Sequence, residues 1–484
     1  MPRIEHRLIR AKPLVFMLLF IVVLQSASLV LPVDAKVTTP IKHVVVIMQE
    51  NRTFDNFFWT YPGVMGGAGT NSTYCVPTNP NMTGSNCYSP MAATALSGYS
   101  DLPHSYNASM IAYNDGAMNG FLANTVSKKN PNGNLEAISY YNNQTIPYYW
   151  FLADHFTLAD QFYSSVTSYS QPNHWYMLAG ASPATSIFST GPMERTQVLY
   201  DIPYSSNGQV TEGAWTVYLN QSQTIQTIVD QLSSSKVSWK YYDSPIPATC
   251  KSLLQAIAVS CKNVNPYDYW NPLEAKNSSY TEYASHFKWR GQILTDIQNG
   301  GLPAVSWVIP AGAFSDHPPA NVTLGEYWVT DVVNAIEDSQ YWKNTMIVVM
   351  WDDFGGFFDV MKPPVVPQYG LGFRAPALII SPYSRQGIDN NIYSFESTLK
   401  FIDDNWGISP LNARVAAAND ISTALNFNQS PIPPITMPLS QAAIGAISGC
   451  FRTNTNCGSK IQSQGAGPVQ YVNITASFID GDDD

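Results

Sequence analysis

Short apolar runs alternate along the chain with stretches in which apolar residues recur at helical spacing. Four runs predict buried strands: "HVVVIM" from residue 43, "AVSWVI" from 304, "TMIVVMW" from 345 and "APALIIS" from 375. The stretches "TIQTIVDQLSSS" and "SFESTLKFIDDNW" have the spacing of helices that pack by one face. This alternation predicts an α/β fold, with a mostly parallel sheet sandwiched by helices.

The N-terminal segment differs from the rest in pattern. Basic residues, among them Arg7 and Arg10, precede a long apolar stretch, so residues 1–35 are expected to be a secretory signal peptide or an uncleaved anchor. Residues 36–484 are expected to form a single domain. Two segments rich in Gly, Pro, Ser and Asn, 60–100 and 180–215, look like surface-loop insertions, and "IDGDDD" looks like a short acidic C-terminal tail.

Composition limits the possible partners. The chain has 484 residues, of which 45% are hydrophobic and 12% charged, and its net charge is -10. An acidic chain with no basic run after its first residues is a poor match for nucleic-acid phosphates, so no nucleic-acid partner is expected.

Cysteines and glycosylation motifs both suggest export. The six cysteines form three close pairs, Cys75 with Cys87, Cys250 with Cys261, and Cys450 with Cys457, which predicts three local disulfides; six separate buried thiols are the alternative. Asn-X-Ser/Thr motifs recur, as at Asn107 and Asn321, and are typical of a glycoprotein. The chain is therefore expected to be secreted or held at the outer cell surface.

Acids follow two of the predicted strands. Glu50 and Asn51 come after the first apolar run, and Asp352 and Asp353 come after "TMIVVMW". Loops at the carboxyl ends of parallel strands converge, so three carboxylates would lie close together, which predicts a divalent metal ion with Asn51 as a neutral oxygen ligand. Alternatively, each acid caps a helix or pairs with an arginine such as Arg52. This donor set suits Mg, Ca, Mn or Zn alike.

Ser170 and three histidines are the remaining candidates. Ser170 precedes Pro172 and a helical run, so its hydroxyl would lie at a helix N-terminus, either as a nucleophile beside a phosphate or as an ordinary N-cap. His104 and His317 lie in loops and are candidates for contacting a phosphoryl oxygen or protonating a leaving group. His286, in the apparently helical "YASHFKW", is a weaker substrate-binding candidate.

Taken together, these stretches resemble the bacterial and archaeal phosphoesterase family that contains phosphatidylcholine-type phospholipases C and an acid phosphatase, within the alkaline phosphatase-like superfamily. The matching stretches run in the family's order: "HVVVIMQENRTFDNFF", "DLPHSYNASMIAYNDGAMNGF", "SVTSYSQPNHWYMLAG", "TIVDQLSSSKVSWKYY", "LPAVSWVIP", "SDHPP", "VVMWDDFGGFFDVMKPP" and "FRAPALIISPYSRQG". The resemblance implies an alkaline phosphatase-like fold over most of the mature chain.

The resemblance also implies roles for single residues. Glu50, Asn51, Asp352 and Asp353 match metal ligands, Ser170 matches the nucleophile, and His104, His317 and, less closely, His286 match phosphate-contacting histidines. Four residues depart from the pattern of many phospholipases C: Ser170 lies where they often have threonine, Asp353 replaces glutamate, Val360 replaces histidine, and His174 replaces the arginine that usually follows "PN".

The function expected from these features is that of a secreted, metal-dependent phosphoric ester hydrolase with a serine nucleophile. Ser170, Asp353 and Val360 favour soluble phosphomonoesters as substrates. The alternative is a phospholipase C acting on phospholipid diesters, with membrane contact that is transient or made through the N-terminal anchor. A non-catalytic secreted glycoprotein built on a hydrolase fold is the alternative from another class.

Overall fold

The structure is a computed structural model that describes residues 37–182, 225–243, 285–364, 366 and 370–448, together with residue 272 and the short segments 185–188, 195–198, 461–462 and 471–472. All of these residues belong to one compact unit. The expected signal segment, the acidic tail and most of the 180–215 insertion lie outside the described residues. No helix in the described ranges combines the length and apolar character that a membrane crossing requires.

A central sheet organises the molecule. We number its strands in chain order, from β1 to β8: His43–Gln49, Thr157–Phe162, Trp239–Asp243, Phe287–Trp289, Val305–Val308, Thr345–Trp351, Ala377–Ile380 and Gly387–Tyr393. Their order across the sheet is β4-β3-β5-β1-β6-β7-β2-β8. All four predicted strands are present, as β1, β5, β6 and β7.

Strand direction confirms a mostly parallel sheet. β1 pairs in parallel with β5 and β6, and the outer pairs β3 with β5, β3 with β4, and β2 with β8 are also parallel. β7 alone runs antiparallel to both of its neighbours, β6 and β2. The carboxyl ends of β1, β5 and β6 therefore open on the same edge of the sheet.

Helices cover both faces of the sheet. In chain order the described α-helices, α1 to α10, are Phe54–Phe58, Tyr106–Tyr113, Pro147–His155, Ser170–Ala179, Ile228–Ser234, Gln292–Gln298, Val322–Glu337, Phe395–Trp406, Ala413–Ala417 and Gln441–Ile447. The two stretches with helical spacing form α5 and α8. The α/β sandwich expected from the sequence is confirmed.

Alternation along β1 explains the two cores. Val45 and Ile47 point to one face and join a cluster that includes Trp328 of α7, whereas Val44 and Val46 point to the other face and join a cluster that includes residues of α4, α5 and α8. A strand that is buried on both faces reads as a continuous apolar run. After this apolar run, polar side chains begin at Gln49, the last residue of β1, and continue in the loop that follows.

The insertion between α1 and α3 consists mainly of turns. It contains the ribbons Val76–Pro77 with Cys87–Tyr88 and Met91–Ala92 with Ser139–Tyr140. Cys75 and Cys87 form a disulfide, which confirms that predicted pair; the other two predicted pairs lie outside the described residues.

Two further ribbon strands, Thr185–Phe188 and Arg195–Val198, pair with each other, as do Ile461–Gln462 and Tyr471–Val472. The short 3₁₀ helices are Asn114–Gly116, Ala123–Thr125, Leu135–Ile138, Gly312–Phe314, Trp342–Asn344 and Ile421–Ala424.

Candidate active site

The two acid-ended strands are neighbours in the sheet. Parallel pairing of β1 with β6 sets Gln49 opposite Trp351, so the loops that begin at Glu50 and Asp352 leave the sheet side by side. The four predicted metal ligands are all buried: Glu50, Asn51, Asp352 and Asp353. The structure thus brings the predicted ligands together at the carboxyl edge of the sheet.

Backbone hydrogen bonds hold these loops against each other. One oxygen of Asp352, Oδ1, accepts from the backbone N–H groups of Asn51 and Asp353, at 2.8 Å each. The Gly355 N–H donates to Asp353 Oδ1 at 2.8 Å. A Cβ on Gly355 would lie 2.3 Å from the Asn51 carbonyl oxygen, so this close approach of the two loops requires glycine. Asn51 itself has a positive φ of 55°, which places it at the tight turn after β1.

Ser170 is the first residue of α4 and faces the acids. The N-cap is Tyr169, in extended conformation, so Ser170 is not the capping residue that the alternative interpretation assumed. Its buried hydroxyl lies 3.1 Å from Asn51 Oδ1 and 3.2 Å from Asp353 Oδ2, and either of these oxygens can accept a hydrogen bond from it. The positive end of the α4 dipole lies at the same point.

His174 lies one turn further along α4 and also points into the group formed by Glu50, Asp352 and Asp353, which we call the acid cluster. Its Nε2 is 3.0 Å from Glu50 Oε1 and 3.9 Å from Asp352 Oδ2. Burial lowers the pKa of His174, against the opposing influence of the Asp352 carboxylate. The sequence showed His174 only as a substitution for arginine, but its four-residue spacing from Ser170 was a usable signal, because residues i and i+4 share a helix face.

His104 and His317 lie beside each other, and His104 contacts Asn51 in the loop after β1. His104 Nδ1 donates to the Leu102 carbonyl at 2.6 Å, which leaves Nε2 as the atom that faces the Asn51 amide nitrogen at 3.2 Å. His317 Nδ1 likewise donates to the Pro318 carbonyl at 2.6 Å. Both imidazoles therefore present Nε2, and their ring centroids are 6.3 Å apart.

Asp101 lies beside His104 and His317 and was not among the site residues predicted from the sequence. Its Oδ1 is 3.7 Å from His104 Nδ1 and 4.0 Å from His317 Nε2. Within the described ranges, Asp101, His104 and His317 form one of two groups whose ligand atoms lie within 4.8 Å of one another; the other group is Glu50, His174 and Asp352. The spacing of Asp101 and His104, in a loop without regular structure, gave no periodic signal.

The structure does not bring His286 to the other candidates. The expected helix around it is wrong, since His286 directly precedes strand β4. Its ring stacks on Trp239 with centroids 4.0 Å apart, and its Nδ1 contacts the Trp239 carbonyl at 2.8 Å. Trp239 begins β3, so His286 lies at the amino ends of the parallel strands, opposite the acid cluster.

The acid cluster lacks an internal cation. Among the described residues, no lysine or arginine forms an ion pair with Glu50, Asp352 or Asp353. Arg52, the alternative partner considered from the sequence, instead donates from Nε and Nη2 to the Asp316 carbonyl, at 2.9 and 2.7 Å. Arg52 therefore does not neutralise these acids.

The missing cation affects two buried carboxylate oxygens and the pKa values of three carboxyl groups. Glu50 Oε2 and Asp352 Oδ2 are buried and have no hydrogen-bond partner within the part of the chain that the structure describes. Burial raises the pKa of Glu50 to about 8, and burial with the neighbouring carboxylates raises the pKa of Asp352 and Asp353. Uncompensated carboxylate oxygens that face one another fit a divalent cation. The residues present are therefore suited to holding one.

Two known proteins with related sequences are phospholipases C by name. The chain is 28% identical to phospholipase C A of Mycobacterium tuberculosis over 455 residues, which cover 84% of this chain and 81% of that protein. It is 25% identical to the non-hemolytic phospholipase C of Pseudomonas aeruginosa over 454 residues, which cover 82% of this chain but only 59% of that longer protein.

Comparison with solved structures adds a weaker likeness. A protein of the alkaline phosphatase superfamily from Vibrio parahaemolyticus matches with a TM-score of 0.35 at 11% identity, over 84% of this chain and 74% of that one. The match to a whole family is more informative, because residues 41–409 match the Phosphoesterase family and include every residue of the acid cluster. The chain belongs to the phosphoesterase family and is a hydrolase of ester bonds.

Proposed function

We propose that this protein is a metal-dependent phosphoric ester hydrolase in which Ser170 is the nucleophile. The observation that carries the proposal is the position of the Ser170 hydroxyl, at 3.1 Å from Asn51 Oδ1 and 3.2 Å from Asp353 Oδ2, inside a cluster of acids that lacks an internal cation. Glu50, Asn51, Asp352 and Asp353 would hold the divalent ion. When bound, such an ion polarises a phosphoryl group and lowers the pKa of a nearby hydroxyl.

The residues then divide the work of the reaction. Ser170 Oγ passes its proton to Asp353 and attacks phosphorus, forming an Oγ–P bond as the bond from phosphorus to the leaving oxygen breaks. The N-terminus of α4 stabilises negative charge on the phosphoryl group. His104 and His317, when protonated at Nε2, can donate to phosphoryl oxygens or to the leaving alkoxide. Water then hydrolyses the phosphoseryl intermediate and frees Ser170.

Phospholipid diesters are the first candidate substrates. The relatives named above are called phospholipases C. The exposed large hydrophobic side chains of the described residues also all lie between positions 65 and 126, in the stretch that supplies His104: Met65, Met82, Ile111 and Val126. Exposed apolar side chains favour contact with a lipid surface.

Soluble phosphomonoesters are the second candidate, and they were favoured from the sequence. Ser170, Asp353 and Val360 depart from the pattern of many phospholipases C, and the net charge of -10 opposes binding to anionic membranes. The non-catalytic alternative is disfavoured, because a decayed site should have lost part of its ligand set. Here Glu50, Asn51, Asp352 and Asp353 are all retained and adjacent.

One set of assays tests both the reaction and the substrate. Hydrolysis of p-nitrophenyl phosphate, p-nitrophenylphosphorylcholine and phosphatidylcholine vesicles is compared at one pH, with and without a chelator. We expect chelator-sensitive hydrolysis that Ser170→Ala abolishes and Ser384→Ala retains, since Ser384 is an equally buried serine whose hydroxyl contacts only the Ile379 carbonyl. A preference for the monoester would make phosphomonoesters the first candidate substrates. Full activity of Ser170→Ala would show that Ser170 is not the nucleophile.

Export is part of the proposal. It is supported by the basic and apolar N-terminal segment and by the Cys75–Cys87 disulfide, which is typical of oxidising compartments. Sequencing the N-terminus of protein recovered from the culture medium would test it. A mature chain that begins near residue 36 is expected, whereas an intact N-terminus in the membrane fraction would indicate an anchor.

A further inference from the structure

We propose that His174 is a ligand of the metal ion and that its nitrogen makes the site selective for borderline ions, such as Zn²⁺ or Co²⁺, over Mg²⁺ and Ca²⁺. This inference rests on the proposed metal site and adds a residue that neither the resemblance nor the four oxygen ligands include. The observation that supports it is the position of the His174 imidazole, whose Nε2 lies 3.0 Å from Glu50 Oε1 and 3.9 Å from Asp352 Oδ2.

The distances fit shared coordination. Bonds of about 2.1 Å to one ion place neighbouring donor atoms roughly 3.0–3.4 Å apart. The distance from His174 Nε2 to Glu50 Oε1 is already in this range. The distance to Asp352 Oδ2 is longer, and a small change of side-chain rotamer would bring it into the range. One ligand atom from each of these three residues lies within 4.8 Å of the others.

A hydrogen bond from His174 alone leaves the cluster unsatisfied. A single N–H at Nε2 serves one acceptor, and at 3.0 Å that acceptor is Glu50 Oε1. Glu50 Oε2 and Asp352 Oδ2 would remain buried without partners. A cation bound by the Nε2 lone pair and by these oxygens satisfies all of them together.

The position of His174 on α4 makes it a rigid donor. Ser170 and His174 are one turn apart on a helix in which every residue from Ser170 to Ala179 is buried. Packing around the helix therefore fixes the imidazole relative to the nucleophile. A fixed imidazole suits Zn²⁺ and Co²⁺, whereas Mg²⁺ and Ca²⁺ prefer oxygen donors, so the nitrogen should contribute mainly to the affinity for Zn²⁺ and Co²⁺.

Metal binding to the full, chelator-treated protein tests the proposal without an activity assay. Titration calorimetry with Zn²⁺, Co²⁺, Mg²⁺ and Ca²⁺ is compared between the native chain and His174→Gln. We expect His174→Gln to weaken Zn²⁺ and Co²⁺ binding by about 100-fold and Mg²⁺ and Ca²⁺ binding by less than about threefold. A merely structural role would weaken all four ions alike, and that outcome would overturn the proposal.

A spectroscopic readout identifies the nitrogen. Electron spin echo measurements on bound Mn²⁺ should show modulation from a coordinated imidazole nitrogen in the native protein, and His174→Gln should lose it. His155→Gln is the matched control, since His155 lies at the end of α3 with its ring against Phe151. His174→Arg adds a second comparison, because arginine keeps a positive charge but has no lone pair to donate.

The outcomes separate the inference from the function on which it rests. If His174→Arg retains the native ion selectivity, His174 acts only as a cation and the inference fails. If the native protein binds ions but His174→Gln leaves their relative affinities unchanged, the inference fails and the proposed metal site stands. If the native protein binds no divalent ion at all, the proposed metal-dependent function fails with it. Thermal unfolding of each variant verifies that the fold is retained.

Discussion

Two buried clusters of three carboxylates lie in this molecule, and they solve the same electrostatic problem in different ways. In the first, the acid cluster, Glu50, Asp352 and Asp353 have no arginine or lysine partner among the described residues. In the second, which we call the arginine cluster, Asp55, Asp160 and Asp359 surround the guanidinium of Arg374, at 2.7, 2.9 and 3.1 Å.

The clusters also differ in how their oxygens are used. In the arginine cluster, the backbone N–H groups of Val360 and Met65 donate to Asp55 Oδ2 and Asp160 Oδ2, the oxygens that Arg374 leaves free, at 2.8 and 2.7 Å. The Met361 N–H donates to Asp359 Oδ1, which Arg374 Nε also contacts, at 2.8 Å. In the acid cluster, Glu50 Oε2 and Asp352 Oδ2 have no hydrogen-bond partner among the described residues. An arginine that belongs to the chain makes a permanent structural cluster, whereas a cluster without one is stable only with protons or with a bound ion. The chemistry of the site depends on this difference.

Removing Arg374 should have the largest effect. Arg374→Met leaves three buried carboxylates without their cation, and breaking a buried pair in this way costs about 3–5 kcal/mol of unfolding free energy. We expect poor recovery of folded protein and, in whatever folds, a much lower urea midpoint. Arg385→Met is the control, because Arg385 is exposed and its Nε contacts only backbone carbonyls. Equal midpoints for the two variants would contradict the role assigned to Arg374.

Matched Asp→Asn substitutions should have opposite effects in the two clusters. Asp359→Asn removes the charge that faces Arg374 Nε and should lower the unfolding free energy by about 1.5–3 kcal/mol. Asp352→Asn replaces one of three buried carboxyl groups that have no arginine or lysine partner among the described residues, so the chelated protein should be as stable as native or more stable. The same variant should lose bound metal and activity together. Urea unfolding in chelator, with elemental analysis, measures both; similar destabilisation by the two variants would break the comparison.

Metal removal should act on one cluster only. A ligand at 100 times its dissociation constant stabilises the folded state by about 2.7 kcal/mol, so chelation should lower the melting temperature of the native protein. The melting temperature of Asp352→Asn should not respond to chelator, whereas a folded Asp359→Asn should respond like the native protein. Differential scanning calorimetry with and without chelator provides the measurement, and a response in Asp352→Asn would place the ion elsewhere.

The sequence predicted the acid cluster better than the arginine cluster, and the reason is geometric. Parallel strands end on a common edge, so two apolar runs that each end in acids must bring those acids together once the sheet is parallel. No such rule joins Asp55, Asp160 and Asp359. They lie on α1, on β2 and in the loop after β6, and only the complete packing of these elements around Arg374 makes them neighbours.

The remaining misses have similar causes. The run that forms β7 is as apolar as its neighbours, and hydrophobicity carries no information about strand direction, so its antiparallel orientation could not be predicted. "YASHFKW" has apolar residues at helical spacing, but its last three residues, Phe287–Trp289, form a strand that is stabilised by pairing with β3. The spacing of Ser170 and His174 predicts a shared helix face, but only the packing of α4 shows that this face meets Glu50.

Ser170→Ala should have the smallest effect on stability and should thereby separate the reaction from the site that supports it. The single hydroxyl proton has two possible acceptors, at 3.1 and 3.2 Å, and can serve only one of them fully, so its loss should change the unfolding free energy by about 1 kcal/mol or less. Metal content should be unchanged, because the predicted ligands remain. Turnover should be abolished while inorganic phosphate still binds, since the α4 N-terminus and the metal site persist. Calorimetric titration with phosphate, alongside the assay of hydrolysis, checks both expectations. Loss of bound metal in this variant would mean that Ser170 stabilises the acid cluster itself, so the two roles could no longer be told apart.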